Sequence, residues 1–226
     1  MAKIYPRGYG LLTPQSDYRP WDLDEAFLHI FRQIEAYTKV GIPRCFELWE
    51  LLRQCSSLEG DVLEVGVWRG GTGVLLAEGA RRLWGNARTV FLADTFQGVV
   101  KAGPKDDYYK GGEHADTSPE IVEGLARGLG LSNVQLLPGV FPEETGGKLE
   151  DRRFCFCHVD VDVYQSAKDT VDWVWPRMPV GGIVVYDDYG FYGCEGVTTL
   201  GREDRLREDS VFVHNLNGHG VLIKLT

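Results

Sequence analysis

The 226-residue chain predicts an α/β fold, a mostly parallel β-sheet with helices on both faces. Three observations predict it. Short β-prone apolar runs alternate with helix-period segments from residue 61 onward. Several of these runs are apolar on both faces, FCFC at 154–157 most clearly, as suits strands covered on either side. Gly66, Asp94, Asp160 and the pair Asp187–Asp188 all fall at the carboxyl ends of such runs, where open parallel sheets bind ligands.

Taken in order, residues 1–20 are rich in Tyr, Pro and Gly and read as an irregular arm. Leu23, Phe27, Ile30, Phe31 and Ile34 recur at helical spacing and predict a helix over 22–37. Phe46, Leu48, Leu51 and Leu52 predict a second over 43–55. The pattern then changes to a strand at 61–67 (DVLEVGV), a helix at 70–83 and a strand at 89–93 (TVFLA). After a polar stretch at 101–116, Ser118 can cap a helix with Pro119 at its first position, ending near residue 129. Strands follow at 134–137 and 154–163, then a helix at 167–175 that Pro176 helps to stop. Gly181 and Gly182 turn into a strand at 183–186, and residues 211–214 and 220–224 read as a closing antiparallel hairpin. The expected organisation is an arm with helices at 1–58 that covers the substrate, and a cofactor-binding catalytic unit at 59–226.

Composition narrows the function classes. With 43% hydrophobic and 25% charged residues the chain reads as an ordinary globular protein. A net charge of -9 with scattered Lys and Arg argues against a nucleic-acid partner. No apolar run approaches the ~20 residues of a membrane span and the N-terminus lacks a signal-peptide core, so a cytoplasmic enzyme with no membrane partner is expected. The five cysteines are odd in number and lack C-x-x-C spacing, which points to core packing rather than disulfides or zinc.

EVGVWRGGTG, residues 64–73, follows the first predicted strand and opens its helix. Its glycines permit close backbone approach, and a helix N-terminus presents unpaired N–H groups. The spacing is not G-x-G-x-x-G, which disfavours a nicotinamide-dependent dehydrogenase. Glu64 could meet the charged methionine end of S-adenosylmethionine, and Asp94 at the next strand end could accept ribose hydroxyls. The same residues would also serve a plain tight turn, with Asp94 capping the next segment.

Two aspartate pairs stand out, Asp160 and Asp162 in HVDVDVYQS and Asp187 and Asp188 in VVYDDYG. Asp is depleted in strands, and a buried carboxylate is costly unless paired or bound to a cation. Alternation predicts Asp160 and Asp162 on one strand face, with Val159, Val161 and Val163 on the other. An edge strand showing both acids to water satisfies the same pattern. Carboxylates within ~4–6 Å of one another need a compensating cation, and an all-oxygen set selects magnesium or calcium over zinc. His158 reads as a strand residue. The charged, glycine-rich loop 101–117 reads as a lid or as a solvated loop, and its His114 is a second candidate base after Asp162. Tyr5, Tyr9, Tyr18 and Trp21 could cover a sugar face or meet another subunit.

EVGVWRGGT, ADTFQG, the Asp-x-Asp-x-Tyr-x-Ser stretch at 160–166 and GGIVVYDDYG together resemble the macrocin O-methyltransferase family, in the family's order, over about residues 60–193. These are metal-dependent, S-adenosylmethionine-using enzymes that methylate sugar hydroxyls on natural-product glycosides. The resemblance implies a class I methyltransferase (Rossmann-like) fold with a seven-stranded sheet. It implies cofactor contacts from Glu64, Gly66, Gly70, Thr72, Asp94, Thr95 and Asp160, and from Gly139 and Phe141 in a Gly-x-Phe loop at 139–147. It further implies a divalent cation, usually magnesium, on Asp160, Asp187 and Asp188, with Asp162 as the base. The implied partner is a small-molecule glycoside, and a homo-oligomer, a dimer, is expected. The sequence departs from the family at Gln97, where Glu is usual, at Val99–Val100, where Leu-Pro is usual, and at Thr145, one place late. A catechol-type small-molecule O-methyltransferase and a non-catalytic cofactor-binding subunit are the competing readings.

Overall fold

The computed structural model describes residues 5–12 and 16–226; residues 1–4 and 13–15 of the expected arm lie outside them. The strands are β1 (Asp61–Val65), β2 (Val90–Asp94), β3 (Val134–Pro138), β4 (Phe154–Val159), β5 (Ile183–Tyr186), β6 (Ser210–His214) and β7 (Gly220–Lys224). They form one seven-stranded sheet in the order β3-β2-β1-β4-β5-β7-β6. The first five are mutually parallel, and β7 joins β5 and β6 antiparallel as the closing hairpin. Chain order reverses between β1 and β4, the place where open α/β sheets form a ligand crevice.

The helices are α1 (Glu25–Ile34), α2 (Ile42–Gln54), α3 (Gly71–Trp84), α4 (Pro119–Gly128), α5 (Tyr164–Val174) and α6 (Glu195–Asp204). Each sheet face carries its own core, because successive strand residues point to opposite sides. Val62, Phe156 and Val185 pack with Phe27, Leu48 and Leu75 from α1, α2 and α3. Leu63, Cys157 and Val184 pack with Val171 and Val197 from α5 and α6. The helices of the expected covering segment thus share the core of the first face. A Cβ at Gly79 of α3 would lie 2.9 Å from Leu52, so α2 and α3 touch nearly backbone to side chain. Among the described residues no helix is long and apolar enough to cross a membrane. All five cysteines are free and buried.

Local chemistry sets several boundaries. Ser118 caps α4 by accepting from the Ile121 N–H at 3.4 Å, with Pro119 in the first turn, as expected. The single helix expected over 22–37 is instead a 3-10 turn, α1, and another 3-10 turn. Asp24 divides it, because its extended backbone and side chain cap Phe27 at 2.9 Å. The strand expected over 61–67 stops at Val65, where Gly66 turns at φ +87.

The strand expected over 154–163 also ends early, at Val159. Asp160 still donates its N–H to Val65 O at 2.9 Å, but Asp162 adopts φ +65 and Val163 N–H closes on Val161 O at 2.7 Å. A turn rather than strand alternation therefore sets where Asp160 and Asp162 point. The following helix begins at Tyr164, not 167, because Asp106 Oδ1 accepts from the Tyr164 N–H at 2.9 Å. The sequence EGVTTLGRED did not announce α6, since Gly and Thr are weak helix formers. Packing decides it: Cβ atoms at Gly196 and Gly201 would lie 2.0 Å from Asp106 Oδ1 and 2.6 Å from the Tyr189 ring.

Candidate active site

Glycine joins the two halves of the site. A Cβ at Gly66 would lie 1.7 Å from Asp160 O, so only glycine lets the end of β1 pass the end of β4. Gly70, at φ +90, begins α3 with no side-chain cap on the helix N-terminus. Asp94 ties this turn to β2: Oδ2 accepts from Val67 N and Trp68 N at 2.7 and 2.9 Å, and Oδ1 from Phe96 N at 2.7 Å. Thr95 Oγ1 donates to Gly98 O at 2.9 Å, which closes the next turn.

A cavity of ≈310 Å³ opens above these strand ends. Gly66, Thr72, Asp94, Thr95, Gly139, Phe141 and His114 line it, as do Asp160, Asp162, Asp187 and Asp188. Gly70 lies beside it, its backbone setting the start of α3. Glu64 stands against Gly73 of α3, where a Cβ would lie 2.5 Å from its Oε2. It is fully buried away from the cavity wall, with His158 Nδ1 donating to Oε1 at 2.8 Å. Burial raises its pKa, an effect that His158 partly offsets.

Oxygens of Asp160, Asp187 and Asp188 lie within 4.8 Å of one another. Asp188 also accepts from the Asp162 N–H at 3.1 Å, so the turn and the cluster are one unit. Burial, then repulsion from Asp187 and Asp188, pushes Asp160 well above the usual carboxylate range. Burial, then Asp162 and Asp187, does the same to Asp188. Asp187 behaves oppositely. Burial would raise it, but hydrogen bonds from His158 and His219 and the charge of Arg44 hold it well below the ordinary value. Its Oδ2 is ion-paired with Arg44, whose guanidinium stacks on Phe191 at 4.7 Å. Burial opposes charge on His158, yet its bonds to Asp187 and Glu64 push its pKa up to about 10.

This donor set fits a divalent cation. It is all oxygen, and the charges of Asp160 and Asp188 are left uncompensated while Arg44 and two histidines serve Asp187.

The loop 101–117 is anchored rather than free. Asp106, 4% exposed, accepts from Gly103 N at 2.9 Å as well as capping α5, and Lys105 pairs with Glu203 at 2.9 Å. The loop delivers Tyr109, whose hydroxyl lies 3.5 Å from His114 Nε2, and His114, whose Nε2 lies 3.9 Å from Asp162 Oδ2. Lys39 Nζ meets His114 Nδ1 at 2.6 Å. An ammonium only donates, so Nδ1 accepts and the ring hydrogen sits on Nε2, facing Asp162. Burial raises the pKa of Asp162, partly countered by Tyr109. Of the aromatic arm residues, Tyr5 and Tyr9 pack on Tyr192 at 6.0 and 5.5 Å and Trp21 on Phe46 at 6.3 Å, while Tyr18 is exposed.

Sequence reasoning missed Arg44, Tyr109, Cys194 and His219, and it left His158 as a plain strand residue. His158 carried a readable signal, an ionisable ring in an otherwise apolar strand. Arg44 and His219 reach Asp187 from α2 and from the hairpin, contacts that no local pattern encodes.

The macrocin-O-methyltransferase (TylF) family model matches residues 32–217. The chain is 30% identical over 170 residues to 8-demethyl-8-(2,3-dimethoxy-alpha-L-rhamnosyl)-tetracenomycin-C 4'-O-methyltransferase of Streptomyces olivaceus, covering 70% of this chain and 65% of that one. It is 33% identical over 171 residues to demethyldecarbamoylnovobiocin O-methyltransferase of Streptomyces niveus, covering 68% and 63%. The chain therefore spans slightly less than two thirds of the length of these relatives. Among solved structures, the O-methyltransferase NovP superposes with a TM-score of 0.72 at 26% identity, covering 84% of this chain and 83% of that one. The calicheamicin methyltransferase CalS11 superposes at 0.70 with 15% identity, covering 95% and 99%, a likeness of fold. The sheet order with its closing hairpin, the matched model and these relatives together show that the chain has the class I methyltransferase fold and belongs to the macrocin O-methyltransferase family.

Proposed function

We propose that the chain is an S-adenosylmethionine-dependent O-methyltransferase that methylates a sugar hydroxyl of a small-molecule glycoside with the help of a divalent cation, magnesium by its oxygen-only donors. The observation that carries this reading is the convergence of the glycine turn and four aspartates on one cavity. Family membership supports the methyl donor, and the name of the Streptomyces olivaceus relative, a rhamnosyl-tetracenomycin 4'-O-methyltransferase, supports the acceptor class.

Bound S-adenosylmethionine would supply an electrophilic sulfonium methyl, and a cation on Asp160, Asp187 and Asp188 would polarise the acceptor hydroxyl and fix its direction. The protein's own groups do the rest. Asp162, on the cavity wall beside the aspartate cluster, would take the proton that the acceptor hydroxyl gives up. Tyr109 and His114 of the loop 101–117 line the same cavity as Asp162 and shield it from bulk water. The loop 101–117 covers the reacting atoms, and alignment of oxygen and methyl can supply up to ~7–11 kcal/mol of the barrier.

Calorimetry with S-adenosylhomocysteine and with NADH tests the cofactor. Saturable binding of the first and none of the second is expected. Binding of NADH alone would remove the proposal.

A further inference from the structure

Asp187 is held by a line of buried side chains that crosses the molecule from α2 to β1. Glu47 of α2 gathers three donors: His219 Nδ1 at 2.5 Å, Asn217 Nδ2 at 2.7 Å, and Asn215 Nδ2. These pin the turn of the closing hairpin onto α2. His219 Nε2 then meets Asp187 Oδ1 at 2.9 Å. His158 Nε2 faces the same oxygen at 3.4 Å, and its Nδ1 donates to Glu64 Oε1 at 2.8 Å. Both imidazoles are fully buried.

The His219 bond and the buried His158 ring on the same side leave the Asp187 carboxylate little freedom to rotate. With Oδ1 taken by His219, Oδ2 is paired with Arg44 at the cavity wall, and the carboxylate stays beside Asp160 and Asp188. Such a chain is an expensive way to add stability, since a buried ionic network can often be replaced by apolar packing at no loss. Its target explains it better: both imidazoles, held at their far nitrogens by Glu47 and Glu64, face one oxygen of one cluster carboxylate. Partners of this kind behind a ligand orient it, and their removal typically weakens metal binding about tenfold or more.

We propose that His219, oriented by Glu47, is a positioning residue that fixes the Asp187 carboxylate for cation binding; this rests on the cation reading above. Two substitutions separate the atoms involved. Gln places an amide nitrogen near the position of the imidazole Nε2, whereas Asn reaches only the position of Nδ1. The full chain and its His219→Asn, His219→Gln and Glu47→Gln variants are titrated with Mn²⁺ by calorimetry. Binding of S-adenosylhomocysteine and thermal melting serve as folding controls.

His219→Asn is expected to weaken Mn²⁺ binding about tenfold or more. Its S-adenosylhomocysteine affinity should stay within about twofold, because His219 does not line the cavity. His219→Gln should recover most of the Mn²⁺ affinity, and Glu47→Gln should fall between. If His219→Asn binds Mn²⁺ like the unaltered chain, or loses both ligands in proportion to lost fold while His219→Gln restores neither, the positioning role is overturned. Absence of Mn²⁺ binding by the unaltered chain overturns the cation reading and this proposal together.

Discussion

Asp162 sits in a left-handed turn at φ +65, three residues past the end of β4, with its side chain between Tyr109 and Cys194. Its environment differs from that of Asp187, which two histidines and an arginine hold ionised. On the proposed reading the two carboxylates divide the labour, Asp187 holding the cation and Asp162 taking the proton. Asp162→Asn is expected to lower turnover by ~10²–10⁴-fold while Mn²⁺ and S-adenosylhomocysteine affinities stay nearly unchanged. Equal loss of Mn²⁺ binding would sink that assignment. Glu47 gives a pH test. Burial would raise its pKa, but donors from His219, Asn217 and Asn215 lower it below its ordinary 4.5. A depressed folded-state pKa contributes stability that is fully present above the unfolded value and is lost as pH falls through the folded one. Melting curves of the native chain and Glu47→Gln should therefore differ at neutral pH and converge in acid. At this scale the aspartates were legible because carboxylates at strand ends are anomalous. Arg44 and His219 were not, because each becomes meaningful only on reaching Asp187 from elsewhere in the chain.

Elements place these residues through a few close approaches. Gly66 is the tightest, with no room for a Cβ against Asp160 O and a backbone that side chains disfavour. Gly66→Ala is expected to cost about 3 kcal/mol or more and to abolish S-adenosylhomocysteine binding, read by denaturant melts and calorimetry. Asp106 fixes the loop 101–117 to the start of α5 and so fixes Tyr109 over Asp162. Asp106→Ala should lose about 1–2 kcal/mol of capping stability and render the loop sensitive to limited proteolysis. Unchanged proteolysis would mean that the loop is held by its other contacts. Strand and helix order were readable from periodicity, as were the Ser118 cap and the closing hairpin. The ends of β1 and β4 were not, since each stops at a turn that its apolar pattern runs past. Nor was α6, whose glycines serve contacts with Asp106 and Tyr189 rather than helix propensity.

In the whole molecule, the switch between β1 and β4 brings the glycine turn and both aspartate pairs to one cavity, and the helices of the first 58 residues pack into the same core. Fold class and family were visible in sequence because four short motifs occur in one order. The hydrogen-bonded chain behind Asp187 was not, because it draws on β1, β4, β5, α2 and the hairpin at once. The central claim is cation-assisted methyl transfer at this cavity. It is tested most directly by following label from methyl-labelled S-adenosylmethionine into a panel of rhamnosyl glycosides and catechols, with EDTA and with Mg²⁺ restored. The account expects label in a glycoside, lost with EDTA and regained with Mg²⁺. Transfer undiminished by EDTA, or label confined to the catechols, would contradict it.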